Sequence, residues 1–208
     1  MNTRKTTDGL IRNKERTKEK IIAATEVVFR EKGYTGLTNA NITKEAGVNH
    51  TLIKKYFGSL ENLLEEYVKR KDFWQLLNNE RLNELVNQQR EVTKFDIVLV
   101  LNALFDKVFH SEELQKILLW ELSDDAEIMK KVAREREVLG ERLFLSLDNN
   151  KGNKLDLRAI LAVQIAGLYY LSIHAKSNGS LFCGIDLNTP EGRQRIINAM
   201  ESIIDLSM

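Results

Sequence analysis

Between Thr38 and Phe57 the chain reads T-N-A-N-I-T-K-E-A-G-V-N-H-T-L-I-K-K-Y-F, and the polar residues of this stretch could do one kind of chemistry. Lys54 and Lys55 are adjacent cations and Tyr56 adds a hydroxyl, a set suited to anchoring backbone phosphates. His50 and Thr51 can exchange hydrogen bonds with base edges, and Leu52 can touch a thymine methyl in the major groove. Asn49 stands just ahead of them. Thr38 and Asn39 open the preceding segment and complete the candidate DNA-contacting set.

Other chemistry-bearing residues do not assemble. His50, His110 and His174 are far apart, and no H-x-x-x-H or C-x-x-C pattern occurs, so no metal site is expected. Asp124-Asp125 and Glu112-Glu113 stand ahead of helical patterns, where carboxylates complement the helix dipole rather than form acid–base pairs. There is no glycine-rich phosphate loop, no G-x-S-x-G, and nothing local to activate Cys183. Neither a catalytic residue nor a cofactor is expected.

The candidate set needs elements to hold it, and the spacing supplies them. Thr38 can cap a short helix whose inner face carries Ile42 and Ala46, four residues apart. Gly47 ends that helix in a left-handed conformation, Val48 plugs the turn, and Asn49 caps the next helix. There Ile53 and Phe57 point inward, leaving His50, Thr51, Lys54 and Lys55 outside. Two short helices across a glycine turn, the second with a basic outer face, form a helix-turn-helix. Upstream, Arg16 to Gly33 reads as an amphipathic helix capped by Thr17, with Ile21, Ile22, Thr25, Val28 and Phe29 inward. Downstream, Gly58-Ser59 breaks the second short helix. Ser59 caps a further helix through Leu63, Leu64, Tyr67 and Val68, expected to run past Trp74 toward Gln89.

This arrangement resembles the TetR family of bacterial transcriptional regulators. The resemblance rests on F-R-E-K-G-Y closing the leading helix, the L-T before the next, Ile42, Ala46-Gly47-Val48, Tyr56-Phe57 and S-x-x-N-L-L. It covers about residues 16 to 68 of the chain. Four positions depart from the family pattern. Lys54 stands where a phosphate-contacting tyrosine is common, Leu52 where a small Thr or Ser is usual, Leu60 in place of a lysine, and Ala40 at an often polar or basic position. The departures bear on which operator is read. The resemblance implies a cytoplasmic homodimer that binds a near-palindromic operator in double-stranded DNA and is released by a small, largely apolar effector.

Composition sets the frame. The chain has 208 residues, 43% hydrophobic and 29% charged, enough to bury a core beside a small head. One proline and glycines that mostly fall between periodic segments point to an all-α protein. Net charge is +1, but residues 1–57 hold twelve Lys/Arg against six Asp/Glu, hence +6, which leaves −5 for the remainder. A basic head on an acidic body fits a protein one end of which meets phosphate. A single cysteine, Cys183, allows no intrachain disulfide and fits a reducing cytoplasm. No signal peptide is read at the polar N-terminus. No run approaches the roughly 18 apolar residues of a membrane helix, so no membrane partner is expected. The expected domains are 1–58, with 1–15 as a flexible basic arm, and a helical effector-binding and dimerisation domain over 59–208.

In the body, helices are expected over Lys94 to Phe109, from the Ser111 cap through Trp120, over Asp125 to Leu147, and over Asp156 to Ala175. The last of these is apolar nearly all round. Gly167 in its middle costs on the order of 1 kcal/mol in helix propensity and would let another backbone approach. Thr189-Pro190 starts a final helix. The resemblance makes the last two helices a dimer interface, with Gly167, Leu168, Leu171, Ile196, Met200 and Ile203 as candidates. It also places an effector pocket near Trp74, Phe105, Trp120, Phe144, Tyr169 and Tyr170, whose aromatic bodies suit a small amphipathic ligand. An alternative use of the body is to bind a protein partner.

Overall fold

In a computed structural model, residues 6–71, 84, 92–148, 155–179 and 181–208 are described. The fold is all-α: among these residues the secondary structure is helical apart from an isolated bridge between Phe182 and Ile185. The chain divides into two compact units, the first ending at Arg70.

In the first unit, α1 (Thr6–Lys32) packs across α2 (Asn39–Ala46) and α3 (Thr51–Phe57), and α4 (Leu60–Lys71) follows. Its core is the inner stripe read from the sequence: Ile21, Val28 and Phe29 of α1, Ile42 and Ala46 of α2, Ile53 of α3, and Leu63, Tyr67 and Val68 of α4. Two expectations are corrected here. Helix α1 starts at Thr6, so residues 6–15 are helix rather than an arm, and Thr17 is not a cap. Its hydroxyl donates to the Asn13 carbonyl at 2.8 Å, the back-bond of a mid-helix threonine. The division between units also falls twelve residues beyond the expected 58 (70 − 58 = 12), because α4 belongs to the head core. Tyr67 meets the edge of Phe29 at 5.8 Å, and Arg70 grips Glu19 through Nη1 at 2.9 and 2.8 Å while its Nη2 reaches Glu66 at 2.6 Å. The expected continuation of α4 toward Gln89, with Trp74, lies outside the described residues.

The second unit contains α5 (Lys94–His110), α6 (Glu112–Ser123), α7 (Glu127–Asp148), α8 (Leu157–Ser177) and α9 (Pro190–Ser207). Four of the five starts have a side-chain cap. Thr93 and Asp96 close a capping box on α5, Ser111 accepts from Leu114 N at 3.2 Å, and Asp156 accepts from Ala159 N at 3.1 Å. Helix α5 packs on both α8 and α9, and Leu101, Leu104, Phe105, Leu168, Met200 and Ile204 fill the space between them. The end of α8 and the start of α9 are both tied to the end of α5 by two cations on one ring. Lys176 Nζ lies 4.0 Å and the Arg193 guanidinium 4.9 Å from the Phe109 ring centre. Thr189 starts α9, accepting from Gly192 N at 3.0 Å and donating to the Asp186 carbonyl at 2.8 Å.

Helix α8 corrects another expectation. Its 21 residues, with a window of mean hydropathy 1.3, are long and apolar enough by length and composition to cross a membrane. Its inner face is nevertheless packed in the helical core through Leu161, Gln164, Leu168 and Ser172.

Candidate nucleic-acid interface

The geometry of α2 and α3 follows from four local hydrogen-bonding choices. Thr38 Oγ1 accepts from Asn41 N at 3.2 Å and begins α2. Gly47, at φ 57° and ψ 43°, ends it, and its N–H bonds back to the Lys44 carbonyl. This left-handed conformation is one that a residue with a Cβ rarely adopts, so glycine is what lets the chain reverse in so few residues. Asn49 Oδ1 then accepts from Thr51 N at 2.9 Å and from Thr51 Oγ1 at 2.8 Å. His50, in helical conformation, is the residue flanking α3, while the capping side chain is that of Asn49. Finally Ser59 Oγ accepts from Asn62 N at 3.1 Å and starts α4.

With Ile53 and Phe57 turned into the core, the rest of α3 is sorted by helical geometry. Asn49, His50, Thr51, Lys54 and Lys55 are exposed, and Leu52 and Tyr56 are half-buried at the margins of the same surface. Thr38 and Asn39 are exposed at the start of α2. Lys55 Nζ stands 5.7 Å from the Tyr56 ring centre, so the cation and the phenol act side by side. The nine candidate residues therefore lie on or beside two adjoining helix starts and one basic helix face. Such a surface can offer hydroxyl, amide and imidazole groups to base edges while the lysines meet phosphates on either side.

Sequence reasoning passed over contributors from α1. Lys20 Nζ reaches the α2–α3 turn, 3.7 Å from where a Cβ on Gly47 would stand. Lys18 Nζ lies 5.2 Å from the Phe57 ring centre, and Lys32 Nζ donates to Asn41 Oδ1 at 3.2 Å. The signal was the net +6 of residues 1–57, which says that a basic surface exists but not that α1 lysines border the turn. Glu19 is the counterweight. The Arg70 guanidinium hydrogen-bonded to it holds its carboxyl below the usual glutamate range.

Of the body residues singled out from the sequence, Phe105, Phe144 and Tyr169 belong to one hydrophobic cluster, and Trp74 lies outside the described residues. Phe105 is packed in the core, and the Trp120 indole donates to Asp124 Oδ2 at 3.1 Å. Phe144 and Tyr169 pack against the core from its margin, and Arg158 covers Phe144 at 5.1 Å. Tyr170 is 54% exposed, on the outer face of α8, with the His174 ring 5.7 Å away and the Phe182 ring meeting it edge-on at 5.3 Å. The reason is rotation: Leu168 and Ser172 both turn inward, so the residue midway between them points away. Of the dimer candidates, Leu168 and Met200 lie in the chain's own core, which spends their apolar surface within the monomer. Leu171 and Ile196 are half-buried against that core, a Cβ on Gly167 would meet nothing within 4 Å, and Ile203 is exposed.

Comparison with known proteins adds a second line to this geometry. Residues 21–67 match the model for bacterial regulatory proteins of the tetR family. A HTH-type transcriptional regulator BetI from Vibrio vulnificus is 28% identical over 174 residues, 83% of this chain and 81% of its own length. Among solved structures, the transcriptional regulator FadR from Bacillus subtilis in complex with stearoyl-CoA superposes with a TM-score of 0.61 at 20% identity, over 90% of this chain and 96% of that one. The hemolysin II transcriptional regulator HlyIIR gives 0.61 at 19% identity, over 89% and 97%. At such identities the likeness to the two structures is one of fold.

Proposed function

Because this chain belongs to the tetR family of bacterial regulatory proteins, a family of DNA-binding transcription regulators, we propose that it is a repressor. On this reading it binds a near-palindromic operator as a homodimer and is released when a small, largely apolar effector occupies its body. The observation that carries the DNA-binding part is the exposed polar and basic face of α3, set by the Asn49 cap and the inward Ile53 and Phe57. Lys54, Lys55 and Tyr56 anchor phosphates, and His50, Thr51 and Leu52 face bases. The protein acts where its operator is, in the bacterial cytoplasm.

Dimerisation is supported by an apolar face that the monomer leaves uncovered. On α8, Val163 is 74% exposed, and Gly167 and Tyr170 continue its stripe at helical spacing. On α9, Ile203 and Leu206 are likewise outward, Leu206 at 74%. A two-fold axis would bring such a stripe against its own copy, as an isologous interface requires. The effector part is supported by the fold shared with a regulator whose solved structure holds stearoyl-CoA. The test is a titration of operator binding with candidate apolar metabolites at fixed salt. An allosteric coupling of about 1–3 kcal/mol would weaken operator affinity roughly 5–150-fold. A tight ligand that leaves operator affinity unchanged would move the body to the other reading, a surface for a protein partner.

A further inference from the structure

Polar side chains inside the body mostly have their partners. Gln115 donates to the carbonyls of Val108 and Phe109 at 2.7 and 3.1 Å, and Asp96 accepts from Thr93 at 2.9 and 2.6 Å. Two amides behave differently. Gln164 of α8, only 7% exposed, donates Nε2 to the Met200 carbonyl of α9 at 3.3 Å, and its buried Oε1 meets no donor. Asn102 of α5 donates Nδ2 to the Glu201 carboxylate at 3.4 Å, and its buried Oδ1 likewise meets none.

Neither amide can be turned round to cure this. Exchanging N and O would set oxygen against the Met200 carbonyl or the Glu201 carboxylate, acceptor against acceptor. Both lone atoms are therefore acceptors. They belong to side chains that converge from α5 and α8 on consecutive residues of α9. Glu201 forms no ion pair among the described residues, and its half-buried carboxylate accepts from the Asn102 amide. A third unpartnered atom, Ser172 Oγ, lies two helical turns along α8 from Gln164. The three-helix junction thus presents acceptors and one negative charge in otherwise apolar surroundings, including Leu101, Leu168 and Ile204. Buried acceptors of this kind favour a ligand that brings donors, and the carboxylate favours one that brings positive charge.

We propose that the effector of this chain carries an ammonium head on an apolar body, and that the head is held by Asn102 Oδ1, Gln164 Oε1 and the Glu201 carboxylate. This rests on the effector reading above and gives it a chemical class. An anionic head would meet three like or unshared acceptors there.

The probes are n-octylammonium and octanoate, which share a tail and differ in the sign of the head. Their binding to the full chain is measured by calorimetry, with operator affinity followed in parallel. Octylammonium should bind saturably and at least ten-fold more tightly than octanoate. That preference should collapse in both Gln164→Leu and Glu201→Gln, with helical content by circular dichroism unchanged. Glu201 is only half-buried, so its variant keeps the test open if Gln164→Leu fails to fold. Octanoate binding as tightly, a preference that survives in Glu201→Gln, or no saturable binding of the ammonium would overturn the proposal. If octylammonium binds with the expected preference and operator affinity does not change, the site stands and the effector reading fails. If octanoate alone weakens operator binding, the effector reading stands and this site fails.

Discussion

Replacing Gly192 by alanine puts a carbon where the backbone already is. A Cβ there would stand 1.8 Å from the Asp186 carbonyl oxygen and 2.5 Å from its carbon. Real Cβ contacts start at about 3.0 Å, so the α9 start and the Asp186 backbone must separate by at least 1.2 Å (3.0 − 1.8). Both Thr189 hydroxyl bonds, 2.8 Å to the Asp186 carbonyl and 3.0 Å from Gly192 N, depend on that approach. Losing the cap costs about 0.5–2 kcal/mol and the forced backbone shift about 1–3 kcal/mol, so a total of roughly 1.5–5 kcal/mol is expected. For a unit of this size that is a fall in Tm of about 5–15 °C. The assay is thermal unfolding by circular dichroism at 222 nm, with Gly167→Ala as control. A Cβ on Gly167 would meet nothing within 4 Å in the monomer, so alanine there should leave the stability of the chain's fold unchanged or raise it by up to about 1 kcal/mol through helix propensity. If Gly192→Ala melted within about 1 °C of the parent, the close approach would not constrain α9 and this reasoning would be wrong.

Other expectations follow from the same geometry. Lys54→Ala should weaken binding to every DNA sequence alike and lower the slope of log affinity against log salt by about 0.9; a loss confined to the cognate site would contradict its phosphate role. Val163→Asp should place two carboxylates in the two-fold interface, giving a monomer at micromolar concentration in sedimentation and weakening operator binding by about 10²-fold or more; an intact dimer would refute that face. The hydrogen bond from Arg70 holds the Glu19 carboxyl below the ordinary glutamate range, so its contribution is complete above that range and disappears as pH falls through the lower folded pKa. The stability difference between the parent and Arg70→Met, from urea midpoints at pH 7, 5 and 3.5, should therefore shrink toward acid. A difference independent of pH would mean that Arg70 acts through packing alone.

Much of the head was legible because its chemistry is local. Thr38, Gly47, Asn49 and Ser59 each complete their hydrogen bond within four residues, so their types and spacing contain the geometry. The start of α1 was not legible, since nothing between Thr6 and Thr17 forbids helix and a threonine hydroxyl can cap or back-bond equally well. Nor does the apolar stripe of α4 say which core it joins; Phe29 and Glu19, more than thirty residues earlier, decide that. In the body the difficulty was α8. A helix apolar nearly all round carries no amphipathic phase, so the sequence does not separate inward Leu168 from outward Val163 or Tyr170. Only packing against α5 and α9 makes that choice. The unshared acceptors of Asn102 and Gln164 are equally non-local, since each partner lies on α9.

The central claim is that α3 reads DNA as one half of a two-fold pair. Selection of bound duplexes from a randomised pool by the full chain tests it most directly, with a variant carrying His50→Ala, Thr51→Ala and Leu52→Ala selected in parallel. The account predicts enrichment of a near-palindrome whose half-sites lie about 34–36 Å apart or a multiple of that, and loss of the enriched sequence in the variant while general DNA affinity persists. Enrichment of the same sequence by the variant, or of a site without two-fold symmetry, would contradict it.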